Sequence, residues 1–182
     1  MHRTLSIRGR YFIAAIAFTM ISTLLALFVP LTYGETKYFG LDVDYWFIPF
    51  QNYTLFASAL GCIVLALIVL GFMRHIASYI VAALLAVSAI ILGYSSFLGL
   101  TTIDEDKLFM RTAFDEQTYY WQNMTSITLL YNEHDGSEQY IFTLSDGSDV
   151  QIANTNQLNE AKSFIYATAR SHDIPYTEKR EQ

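Results

Sequence analysis

The sequence predicts an α+β membrane protein, with three transmembrane helices followed by a small antiparallel β half-barrel and one C-terminal helix. Three observations predict it. Residues 11–31, 53–73 and 76–98 contain no Asp, Glu, Lys, Arg or His. After Leu100 the apolar residues alternate instead of running on. Near the end they recur at helical spacing, from Leu158 to Thr168.

The composition agrees. The 182 residues are 53% hydrophobic and 15% charged, against about 25% charged in an ordinary soluble domain. Mean hydropathy is +0.28. Each uncharged run has roughly the 20 residues a helix needs to cross about 30 Å of hydrocarbon. The first is longer than a signal-peptide core of roughly 7–15 residues and is followed by no small-x-small cleavage pattern, so it reads as a retained span.

Short loops set the expected orientation, because basic residues favour the cytoplasmic flank. Arg3, Arg8 and Arg10 precede the first run, and Arg74-His75 links the second to the third. The 32–52 loop holds Glu35, Asp42 and Asp44 against Lys37. The expectation is a multi-pass cell-membrane protein with a cytoplasmic N-terminus and an extracytoplasmic C-terminal domain.

The spans contain no ionisable residue that would mark an ion path. They carry small residues at four-residue spacing instead: Ala57 and Gly61, then Ser78, Ala82 and Ala86, then Ala89 and Gly93. Such faces let helices approach closely, either within the chain or in a homo-oligomer. The 32–52 loop is rich in aromatics, which suit the bilayer interface. A sharper reading docks Tyr45-Trp46-Phe47-Ile48 under the C-terminal domain or a partner.

Residues 101–176 form the expected β domain. Leu108, Met110 and Phe114 share one face of an extended segment; Tyr140, Phe142 and Leu144, then Val150 and Ile152, repeat the period of two. Asp104-Glu-Asp-Lys107, Asp135-Gly136 and Asp146-Gly147 supply the turns, Gly accepting the positive φ of short hairpins. QTYYWQNMTSITLLY, residues 117–131, is too short and too polar for a fourth span. It reads as one long central strand with a bulge or turn near 122–125. A helix over about 155–172 follows, opened by an Asn154/Gln157 capping box and striped with Leu158, Ala161, Phe164, Ile165 and Thr168. Pro175 ends it, and 177–182 reads as a frayed polar tail.

TTIDEDKLFMRTAF, TYYWQNMTSI and YIFTLSDGSDVQI, followed by a helix, together resemble the bacterial pleckstrin-homology-like domains found behind short membrane segments. A strand patterned like Trp121-Gln-Asn-Met-Thr-Ser-Ile127 is common there, as is an Asp-Gly hairpin before a helix. The resemblance implies a half-barrel that binds a protein or peptide or scaffolds an assembly. Lipid-binding eukaryotic relatives carry basic residues in the first hairpin, where this chain has Asp104-Glu105-Asp106-Lys107, so anionic headgroup binding is disfavoured.

No motif points to catalysis, a cofactor or a metal. Of the histidines, His2 and His75 fall on the inner side and His134 and His172 on the outer. Glu133-His134-Asp135 reads as solvated turn residues, and Asp104-Glu105-Asp106 as a charged hairpin tip. Cys62 is the single cysteine, so no intramolecular disulfide forms. Asn52-Tyr-Thr and Asn123-Met-Thr match the glycosylation pattern but carry meaning only in a eukaryotic secretory setting. Residues 100–182 hold 14 acids and 6 Lys+Arg, a balance of −8 that disfavours binding of nucleic acid or of an anionic lipid surface by bulk electrostatics.

The expected function is therefore a non-enzymatic membrane protein with an unidentified protein or peptide partner. The candidate contact residues are Tyr119, Tyr120, Trp121, Tyr45 and Trp46. Alternatives are a small-ligand or lipid sensor and an accessory subunit of a larger complex. The orientation is testable: a cysteine at Ser137 in a cysteine-free background labels with an impermeant reagent in intact cells. Labelling only after lysis reverses the topology.

Overall fold

The computed structural model describes residues 6–40, 43–72, 75–134 and 136–181. His2, Arg3, Asp42, Arg74 and Asp135, used above for orientation or turns, lie outside the described residues. The chain divides into two compact units.

The first unit contains three helices, α1 (Ile7–Tyr38), α2 (Phe50–Phe72) and α3 (Ile76–Ser95), each long and apolar enough to cross a membrane. α1 packs on α2 and α2 on α3. Their outward sides are apolar: Ile16, Met20, Leu24 and Phe28 form an exposed stripe at four-residue spacing on α1. α1 is longer than the uncharged run at both ends. Ser6 caps its start by accepting from the Gly9 amide. At the other end it continues through Pro30, where local propensity alone predicts a stop. Pro30, Gly34 and Tyr38 are buried at four-residue intervals, so packing holds the last two turns helical. Tyr33 and Tyr38 accordingly belong to α1 and not to a loop.

The small residues divide between two roles. Ser78, Ala82 and Ala89 are buried, and a methyl group on Gly93 would sit 3.8 Å from the Ala59 Cβ; these are internal packing positions. Ala57, Gly61 and Ala86 face outward. Asn52 is buried and its amide donates to the Gly99 carbonyl at 2.9 Å, so its side chain is a structural tie. Any side chain at Gly99 would overlap it.

The second unit holds two four-stranded sheets and two short helices, except that Leu100 and Arg111, at the ends of two strands of the first sheet, belong to the first unit. The first sheet has the order β1 (Tyr45–Phe47), β2 (Leu100–Ile103), β3 (Lys107–Arg111), β4 (Glu116–Tyr120). The second comprises β5 (Met124–Asn132), β6 (Glu138–Leu144), β7 (Asp149–Ala153) and β8 (Tyr176–Glu181), in the order β7-β6-β5-β8. α4 (Asn156–Glu160) and α5 (Lys162–Ser171) lie between β7 and β8 in sequence.

Several expectations are corrected here. The 45–47 segment is a strand, antiparallel to β2 through the Trp46–Thr102 pair, rather than an interfacial loop. The 117–131 stretch is not one long strand. β4 lies in the first sheet and β5 in the second, and a single 3-10 turn at Trp121–Asn123 carries the chain across. The expected irregularity is present as a register shift between Met124 and Ser126. Phe114 sits in the Thr112–Asp115 turn, 85% exposed, and joins no strand face.

The C-terminal helix is interrupted at buried Ala161, whose amide bonds back three residues to Leu158. Its N-cap is Thr155, which accepts from the Leu158 amide, rather than Asn154. The helical stripe otherwise holds, with Leu158, Ala161, Ile165 and Thr168 buried. Gly136 and Gly147 both take positive φ, as the hairpins require. At the second, the Asp146 carboxylate accepts from the Ser148 amide and hydroxyl at 2.8 and 2.6 Å, which holds its pKa below the ordinary carboxylate value.

The tail is the largest correction. Ile174 is buried and its amide bonds the Ala169 carbonyl, while the Ile127 amide bonds the Pro175 carbonyl. These ties aim the chain along β5, and β8 pairs parallel to it from Ile127–Tyr176 to Asn132–Glu181. One core serves both sheets: Phe47, Ile103 and Leu108 meet Ile127, Tyr140, Phe142, Leu158 and Ile165 around Trp121. Truncation after Pro175 therefore destabilises the second unit by about 2 kcal/mol or more, since it removes a half-buried aromatic together with an outer strand. Urea unfolding of the full-length and truncated proteins in detergent measures this. An unchanged midpoint would mean the tail is frayed after all.

Candidate functional site

The residues singled out from the sequence fall in different places. Trp121 is fully buried; its indole N–H donates to the Asp104 carbonyl at 2.8 Å and its ring lies 6.1 Å from Phe142. It is a core residue. Tyr45 and Tyr119 are half-buried against the same core, the Tyr45 ring 5.2 Å from Phe164. Trp46 is half-buried on β1. Tyr120, at 46% exposure, is the most open of the five. Three of these aromatics thus share one hydrophobic core, and they do not form a surface patch.

An open groove lies elsewhere, between the C-terminal helices and β8. It has a volume of about 570 Å³ and is lined by Asn159, Lys162, Ser163, Tyr166, Tyr176 and Glu178. Local structure explains each member. Tyr166 projects from the solvent side of α5, opposite the buried stripe, and is 53% exposed. Tyr176 and Glu178 alternate onto one face of β8. Tyr166 and Tyr176 meet edge to face at 5.4 Å, an arrangement worth about 0.5–1.5 kcal/mol beyond area burial. Lys162 pairs with Glu178 at 3.0 Å, which raises the lysine pKa.

Behind the groove is a polar cluster. Glu138 on β6 accepts from the Asn154 amide side chain at 2.6 Å. The Tyr140 and Tyr176 hydroxyls are neighbours that influence one another, yet neither completes a hydrogen bond of standard geometry; the Asn154 carbonyl oxygen also lacks a donor. Burial pushes both phenols above the ordinary tyrosine value, Tyr140 well above it. In the first sheet, burial likewise raises Asp104.

The groove was missed in the sequence because its residues are ordinary for exposed helix and tail positions. The only signal was Tyr176, a lone aromatic after Pro175. Among the described residues no group of three or more His, Cys, Asp or Glu could hold a metal ion. The fold and groove define an α+β protein with three long apolar helices and an open cleft on its β unit. Compared with known proteins, the chain matches no family model and no curated protein.

The raised phenols have a pH consequence. A tyrosine whose folded pKa exceeds its unfolded value of about 10 favours folding at neutral pH, and that contribution is lost as pH rises past the unfolded value toward the folded one. Tyr140→Phe therefore reduces the alkaline loss of stability. At pH 7 it changes stability by less than about 1 kcal/mol, since an unbonded buried hydroxyl contributes little. Chemical unfolding at pH 7 and above pH 10 tests both. A much larger loss at pH 7 would mean that the hydroxyl is bonded after all.

Proposed function

We propose that the chain is a non-enzymatic integral membrane protein whose C-terminal unit, of pleckstrin-homology-like type, captures an extended segment of a protein partner in the groove between α5 and β8. The observation that carries this reading is the groove itself, open along an outer strand of the second sheet. An outer strand offers main-chain donors and acceptors to an added strand. The Tyr166–Tyr176 pair offers amphipathic contact area of the kind enriched at interfaces. Thr177-Glu178-Lys179-Arg180 brings charges of both signs, which favours a partner segment that also carries both and would repel one of a single sign.

The apolar outward stripe of α1 supports the membrane reading, since a surface of that kind is costly in water and matched in hydrocarbon. Exposed Arg8 and Arg10 before the apolar part of α1 favour a cytoplasmic N-terminus, and three crossings then put the C-terminal unit outside. The interior of that unit is filled by Trp121, Tyr140, Phe142 and Leu158, so a ligand enclosed within it has no comparable support.

A photo-crosslinking amino acid at Tyr166 is expected to give one discrete adduct in native membranes, while the same probe at Thr125, exposed on the other face of β5, gives none. Adducts from both positions, or from Thr125 alone, would contradict the assignment.

A further inference from the structure

The first unit holds a second feature, at the end of α1. Lys37 lies with its ammonium 5.1 Å from the Tyr33 ring centre and 5.2 Å from that of Tyr38. Arg111 approaches the same tyrosine from its hydroxyl, donating from Nη2 to the Tyr38 oxygen at 3.3 Å and from Nε to the Leu98 carbonyl at 2.9 Å. One ring therefore gathers two cations, with the ammonium over its face and the guanidinium at its edge.

Among the described residues neither cation is in an ion pair; the pairs there are Lys162–Glu178 and Arg180–Glu133. An arginine has five N–H donors; two are used here, which leaves three without a protein partner among the described residues. Glu35, two positions before Lys37, forms no ion pair with Lys37 or Arg111 among the described residues. The depth is also specific. Lys37 is three positions past Gly34, the last uncharged residue before Glu35, or about 4.5 Å at 1.5 Å rise per residue. That places its ammonium in the headgroup layer, which is roughly 5–8 Å thick on each side of the hydrocarbon.

We infer that Lys37 and Arg111, held on Tyr33 and Tyr38, bind the phosphate of an anionic phospholipid headgroup. Arginine's planar fork suits two phosphate oxygens and lysine supplies a point charge. The cation–π contacts fix the ammonium in advance, so less entropy is lost on binding. The site is distinct from the acidic first hairpin, where such binding is disfavoured. It rests on the membrane reading, and the test separates the two.

The full chain is reconstituted in vesicles of phosphatidylcholine with or without phosphatidylglycerol, and its thermal unfolding midpoint is measured. Co-flotation with the vesicles reports the membrane reading by itself. Phosphatidylglycerol is expected to raise the midpoint. Lys37→Gln should lose most of that rise while keeping the wild-type midpoint in phosphatidylcholine alone, and Arg111→Lys should lose part of it. Arg10→Gln, at the opposite end of α1, should keep the rise; an equal loss there would mean bulk surface charge and overturn the site. A rise reproduced by inorganic phosphate in phosphatidylcholine vesicles overturns the lipid assignment. So does the absence of any rise in protein that floats, or a full rise in Lys37→Gln.

Discussion

The β unit depends on a corner built around Trp121. The chain leaves the first sheet at Tyr120 and enters the second at Met124, and the three residues between are anchored on both sides. The Trp121 amide bonds the Asp106 carbonyl at 3.2 Å and its indole bonds that of Asp104, both in the turn between β2 and β3. The Asn123 carbonyl accepts from the Ser145 amide at the β6–β7 turn. The indole ring itself fills the space between the sheets against Phe142. A smaller apolar residue would leave a cavity and strip the Asp104 carbonyl of its donor, and both terms destabilise.

This corner decides which aromatics of the β unit are core. Aromatic side chains dominate the unit, but most of the large ones are used as core, since their burial supplies the main driving force for folding. What remains at the surface includes Tyr120 on the outer strand β4, Tyr131 near the end of β5 and Tyr166 beside β8. Tyr166 sits in the groove with charged neighbours and an outer strand beside it. The Lys162–Glu178 pair across the groove is partly exposed, so its contribution to stability is small, of order 0–1 kcal/mol.

How much was legible in the sequence follows from which physical signal each element carries. The three apolar helices, the β5–β6–β7 alternation, the two glycine turns and the α5 stripe rest on periodicity and local φ preference, and they appear in the fold. Elements that depend on distant contacts do not. α1 continues past Pro30 because Pro30, Gly34 and Tyr38 pack on one face, and β1 is a strand because β2 is there to pair with it. β8 has one apolar-bodied residue, Tyr176, and then polar alternation, so no hydrophobic period marks it; the Ile174 anchor and the parallel register with β5 create it. The split of residues 117–131 between two sheets is of the same kind, because period-two alternation cannot say which sheet a strand joins. Of the five aromatics singled out as candidate contacts, Trp121 lies in the core because the 3-10 turn carries it between the two sheets. The groove required the tail to be placed before it could exist.

The central claim is that the aromatic stretch at 119–121 is the structural joint of the β unit, with its tryptophan sealed from solvent. Tryptophan fluorescence tests it most directly, because Trp46 and Trp121 are the only two tryptophans. In a Trp46→Phe background, Trp121 is predicted to emit in the blue, to resist quenching by acrylamide and iodide, and to become accessible in the same transition that unfolds the β unit. Emission and quenching like those of free tryptophan in the folded protein would contradict the account.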